Sequence, residues 1–147
     1  MKYDMNLLNC KITEVSYGEV HGVYPRLIGK NGKLPEIGYT HCHEVVVLTT
    51  DTGFTGWGLG YMDRTLQMLL EGARLSDIFH PEVGVLIPAL CGADIALHDL
   101  VAKILGIPVA KMLNPDTDMK ATCYDGAIYL NDITKEDDLG AREILKN

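Results

Sequence analysis

Ala93-Asp94-Ile95-Ala96-Leu97-His98-Asp99-Leu100-Val101-Ala102-Lys103-Ile104-Leu105-Gly106-Ile107-Pro108-Val109 carries an apolar helical pattern and a punctuated end, and together they decide the fold. Leu90, Ala93, Leu97, Leu100, Val101 and Ile104 recur mostly at steps of three or four, which lays a broad apolar stripe along a helix. Asp94, His98, Asp99 and Lys103 are the only strongly polar side chains between Ala89 and Leu105, so the helix is expected to be buried on most of its circumference. Gly106 supplies the left-handed residue that commonly ends a helix, and Pro108 can open a new one but cannot continue the old. A sharp corner and a short second helix through Val109–Leu113 follow. Asp94 stands one turn before His98, which points to a partly buried imidazole held by a carboxylate.

Upstream of this helix the period changes from helical to alternating. Asn9 to Tyr17 alternates polar with apolar or β-branched residues, the mark of a half-buried strand. Glu44–Thr50 and Phe54–Gly58 flank the turn-forming Asp51-Thr52-Gly53 and read as a hairpin. Between them, Gly18 to Thr40 holds five glycines and two prolines and reads as a long loop, a feature usually functional or mobile in a compact domain. Asp63 is placed to cap a helix over Arg64–Glu71, and Phe79-His80-Pro81 and Gly84 interrupt the pattern before the apolar helix begins near Pro88. Downstream, Ala121–Leu130 returns to β character and Lys135–Lys146 reads as a helix with few apolar residues.

The composition is that of a globular protein. The chain has 147 residues, 47% hydrophobic and 22% charged, enough for one adequate core. No apolar run reaches the roughly 20 residues a membrane helix needs, and the Met1-Lys2-Tyr3-Asp4 start lacks the build of a signal peptide, so a cytoplasmic location is expected. A net charge of −7 argues against a nucleic-acid partner. The four cysteines, at 10, 42, 91 and 123, have no metal-site or redox spacing and are expected to be reduced thiols, Cys10 and Cys91 acting as small hydrophobes.

Three blocks in order, Lys11–Val15, Thr49–Gly58, and Ala93–Leu100 with Leu105–Pro108, resemble the N-terminal capping domain of the mandelate racemase and muconate lactonizing group of the enolase superfamily. The resemblance spans about Lys11 to Leu113, and Thr122–Leu130 with the terminal helix is similar to the first strand and helix of that family's barrel. It implies an α+β fold: a three-stranded antiparallel meander, then a helical layer, with residues 1–118 as the cap and 119–147 as the start of a truncated (β/α)8 barrel. The family's enzymes are isomerases and lyases that abstract a proton next to a carboxylate and hold the enediolate on Mg²⁺ with acidic ligands at barrel strand ends. A barrel takes roughly 250 residues and this chain offers at most one of its strands, so no catalytic, cofactor or metal residue is expected here and the chain alone should be inactive. Mg²⁺ belongs to a full-length parent. Two features depart from the pattern: His98 stands where the family usually has an aromatic residue, often Trp, and the helical layer is shorter.

By the same resemblance, the loops after the first and third strands would fold over a barrel mouth and contact an acid sugar. Tyr24 and Arg26 in the first, and Tyr61 in the second, are the candidate specificity residues, since phenol and guanidinium groups bind hydroxyls and carboxylates. The expected partner is the missing barrel domain or another copy of the chain, the latter making it a stand-alone oligomerising or partner-binding domain without catalysis. Exchange of the terminal strand and helix between copies is one route to it. His41-Cys42-His43 places two imidazoles on one strand face, yet a closed metal site needs more ligands than these two. Asp51-Thr52-Gly53 after an apolar strand also matches a dimeric aspartic protease, but its place at a hairpin tip and the long apolar helix disagree with that all-β fold.

Overall fold

The computed structural model describes residues 3–29 and 35–122. The described residues of Met1–Val20 and His43–Lys120 form one compact unit, and those of His21–Cys42 a second. A 3-10 turn at Met5–Leu8 leads into β1 (Ile12–Ile28), followed by β2 (Gly38–Thr50) and β3 (Thr55–Leu59). These three strands form one sheet in the order β1-β2-β3. Helix α1 (Arg64–Leu70) and the single turn α2 (Leu75–Ile78) come next, then a two-residue hairpin of β4 (Phe79–His80) and β5 (Gly84–Val85). A 3-10 segment over Pro88–Ala93 runs into α3 (Asp94–Leu105), and α4 (Val109–Leu113) closes the described elements. The α+β expectation holds, with an antiparallel meander and a helical layer.

The hairpin stands where its turn residues place it. Val45 pairs with Leu59, Val47 with Trp57 and Thr49 with Thr55. Gly53 takes a φ of 83°, the left-handed conformation that favours glycine. Asp51 is exposed at the tip and its Oδ1 accepts the Lys11 amide at 3.0 Å, a structural contact that ties β1 to the turn.

The core lies in the first unit. Ile12 and Val15 of β1, Val46 and Leu48 of β2, Leu70, Leu75, Phe79, and Leu97, Leu100 and Val101 of α3 are all buried together. Helix α3 is seated on β3 through Gly56 and Gly58, which alternation turns toward the helix. A Cβ on Gly56 would meet Leu100 Cβ and come within 2.5 Å of Leu100 N and 2.6 Å of Ala96 O, and one on Gly58 would lie 2.5 Å from Ile95 Cγ2. The absent side chains set the helix-to-strand distance. Polar contacts fix the register: Asp99 Oδ2 accepts the Trp57 amide at 2.9 Å and the Lys103 ammonium at 2.7 Å, and Lys103 Nζ also donates to Thr55 O at 3.0 Å.

The capping expectations are met at both ends of the helical layer. Asp63 accepts the Leu66 amide at 2.8 Å and opens α1. Gly106 ends α3 at φ 68°, and the Ile107 amide donates back to Ala102 O at 3.0 Å.

Three expectations are corrected. Gly18 to Thr40 is not one long loop: β1 continues to Ile28 and β2 begins at Gly38. Val20, Val23, Tyr24, Leu27, Ile28 and Tyr39 have the β-branched, aromatic and aliphatic character strands accept, and an edge strand tolerates Pro25. The apolar helix does not begin near Pro88, because the chain winds as 3-10 until Ala93. Cys91, on that tighter turn, is consequently exposed and not a core residue, whereas Cys10 is buried as expected. The proposed terminal strand and helix, and the barrel start, lie outside the described residues except for 119–122, which form neither helix nor strand.

Candidate functional site

Tyr24 and Arg26 stand two positions apart on β1 and so share a face of the strand. Both belong to the second unit, not to a free loop. The Tyr24 ring packs on His41 of β2 with centroids 4.7 Å apart and planes tilted by 47°. Gly22 makes room for this stack, since a Cβ there would overlap Cε1 and Nε2 of His41. On the same pair of strands His21 Nε2 and Cys42 Sγ lie 3.9 Å apart. Arg26 is exposed.

Tyr61 lies in the first unit, after β3, and is 55% exposed. Its hydroxyl donates to Asp63 Oδ2 at 3.4 Å, while its amide donates to Gly92 O at 3.0 Å. The phenol is therefore tied to the same carboxylate that caps α1. Gly60 and Gly92 permit this close passage of two backbones, because a Cβ on either would strike the other segment's carbonyl oxygen.

His98 and Asp94 meet as their one-turn spacing predicts. His98 Nδ1 lies 2.9 Å from the Asp94 carbonyl oxygen and 3.2 Å from its Oδ1. Phe79 stands edge-on to the imidazole at 4.7 Å. The sequence did not disclose the short β4–β5 hairpin, which sets a wall opposite this histidine. Two-residue strands leave too little alternation to read, though Gly84, at φ 91°, is a turn signal in hindsight.

Burial raises the pKa of the Cys10 thiol above its usual value, against an opposing hydrogen bond to Thr52. Among the described residues no three carboxylates lie close enough to hold a metal, so this part of the chain does not fit Mg²⁺, which takes oxygen ligands. His41 is turned to Tyr24, which gives its imidazole a packing role.

Beside α3 lies an apolar groove of about 510 Å³, lined by Trp57, Gly58, Leu59, Ile95, His98, Asp99 and Val109. Trp57, Leu59 and Ile95 are about half exposed along it, at 56%, 48% and 54%. No helix among the described residues is long and apolar enough to cross a membrane.

No protein-family model matches the chain, and no curated protein matches it by sequence. Solved structures do. A galacturonate dehydratase variant from Geobacillus sp., complexed with Mg, aligns at TM-score 0.72 and 22% identity over 93% of this chain and 37% of its own. A mandelate racemase/muconate lactonizing protein from Geobacillus sp., complexed with magnesium and tartrate, aligns with the same figures. The galacturonate dehydratase complexed with D-galacturonate and 5-keto-4-deoxy-D-galacturonate gives TM-score 0.70 at 21% identity, over 93% of this chain and 36% of its own. The chain thus spans little more than a third of the length of these proteins, and it has the α+β fold of the part it matches in mandelate racemase/muconate lactonizing proteins.

Proposed function

We propose that this chain is the substrate-specificity cap of a mandelate racemase/muconate lactonizing-like enzyme that acts on a carboxylate such as an acid sugar. The observation that carries the proposal is the match of 93% of the chain to 37% of each neighbour. The remaining two thirds would supply the barrel, the Mg²⁺ ligands and the base that removes the proton beside the carboxylate. Tyr24, Arg26 and Tyr61 would meet the far end of the substrate, Tyr24 held by His41 and Tyr61 by Asp63. The setting would be cytoplasmic. A longer polypeptide containing this chain, supplied with Mg²⁺ and D-galacturonate, should release the dehydrated keto sugar, and the 147 residues alone should not. Turnover by the isolated chain, or inertness of the longer one toward D-galacturonate and other acid sugars, would reject the proposal.

A second reading is favoured by the groove of Trp57, Leu59 and Ile95. An apolar surface of this kind calls for cover, and a second copy of the chain would give it in a stand-alone oligomer. Light scattering across a dilution series decides this, since a dimer persisting at low concentration supports self-association and a monomer throughout removes it.

A further inference from the structure

His21 and Cys42 stand on the adjacent strands β1 and β2, with His21 Nε2 and Cys42 Sγ 3.9 Å apart. Glu19 comes two residues before His21 on β1, and strand alternation gives both side chains the same face. One ligand atom from each of the three, a carboxylate oxygen, an imidazole nitrogen and the thiol sulfur, lies within 4.8 Å of the other two. All three residues are exposed, so an ion reaches them without disturbing the core.

The His41-Cys42-His43 run therefore bears on a metal through its middle residue. His41 packs its ring on Tyr24 above Gly22, and alternation carries Cys42 to the other face of β2, where it meets His21. The imidazole comes from the neighbouring strand and not from the same run.

The donor set selects the ion. Mg²⁺ takes oxygen ligands and is poorly served by a thiolate and an imidazole. Zn²⁺ accepts all three donors, and its bonds of about 2.3 Å to sulfur and about 2.0 Å to nitrogen, set at a tetrahedral angle, separate the two atoms by roughly 3.6 Å. The observed 3.9 Å closes to that span by a small side-chain rotation. A thiolate and a carboxylate also bring two negative charges to balance the ion. We propose that Glu19, His21 and Cys42 form a Zn²⁺ site, with solvent water completing the tetrahedron. Binding exchanges the thiol hydrogen for the metal–sulfur bond and releases that proton to the buffer. The inference does not depend on the capping role.

The test is a Co²⁺ titration of the reduced 147-residue chain, with Co²⁺ as the coloured stand-in for Zn²⁺. A thiolate-to-cobalt charge-transfer band should rise to saturation at one ion per chain and vanish when Zn²⁺ is added. Cys42→Ser should abolish it, and Cys91→Ser and Cys123→Ser should leave it in place. His21→Gln and Glu19→Gln should each weaken binding by about tenfold or more, since even a residue that only supports a metal ligand carries that much. In the unsubstituted chain Zn²⁺ should slow iodoacetamide labelling of Cys42 and not of the exposed Cys91, a control that needs no variant to fold. The proposal is overturned by the absence of a band up to about 1 mM Co²⁺, the weak end of specific affinity. A band that survives Cys42→Ser, unchanged affinity in either the His21 or the Glu19 variant, or equal protection of Cys42 and Cys91 overturns it as well.

Discussion

Replacing Gly56 by alanine tests whether two missing side chains set the seat of α3. The new Cβ would meet Leu100 Cβ and lie 2.5 Å from Leu100 N and 2.6 Å from Ala96 O. The latter two are backbone atoms of a helix and cannot rotate aside. Ordinary contact begins near 3.4 Å, so α3 must retreat from β3 by about 1 Å. Overpacking of this kind costs roughly 1–3 kcal/mol. The retreat also stretches the Asp99 bond to the Trp57 amide and the Lys103 bond to Thr55 O, each contributing about 1 kcal/mol. A total near 3 kcal/mol lowers the melting temperature of a domain this size by about 10 °C or more. Circular dichroism melting of Gly56→Ala beside Gly18→Ala supplies the comparison, since Gly18 has open space around it. An unchanged melting temperature for Gly56→Ala, or an equal loss in both variants, would refute the reasoning.

Further expectations rest on single contacts. Asp99→Ala removes the acceptor for the Trp57 amide and Lys103 ammonium and should cost about 1–3 kcal/mol by urea denaturation, with Asp99→Asn losing less because it still accepts from Trp57. Asp63→Ala should cost about 1 kcal/mol through the lost cap of α1 and free the Tyr61 hydroxyl, whereas Asp63→Ser should recover most of the stability. Because burial raises the Cys10 thiol pKa, the folded chain keeps this proton after the unfolded chain has lost it. Stability should therefore fall as pH rises above the ordinary thiol value of 9.0, and more steeply than in Cys10→Ala. In the same protein at pH 8, iodoacetamide should label Cys42 and Cys91 well before Cys10, as mass spectrometry of the peptides would report.

The parts of the fold legible in the sequence are those fixed by local chemistry. Gly106 and Pro108 mark the corner after α3 because one takes a left-handed φ and the other lacks an amide hydrogen. Asp51-Thr52-Gly53 marks the hairpin, and the spacing of Asp94 and His98 brings carboxylate and imidazole together. The extension of β1 and β2 was hidden because glycine and proline punctuate Gly18 to Thr40, and their tolerance there depends on strand pairing that composition does not display. Gly56 and Gly58 read as β-hairpin residues, while their packing against Leu100 and Ile95 is a long-range fact no local pattern discloses. For the candidate site, residue types were legible but not their partners. His41 beneath Tyr24 and Asp63 beside Tyr61 emerge only from tertiary structure.

The intact mass of the native polypeptide, captured with an antibody raised to this chain, tests the capping role most directly. A mass well beyond that of 147 residues, in a protein that dehydrates D-galacturonate or another acid sugar with Mg²⁺, is the expected result. A native polypeptide of 147 residues, with no separate barrel subunit bound to it, would contradict it.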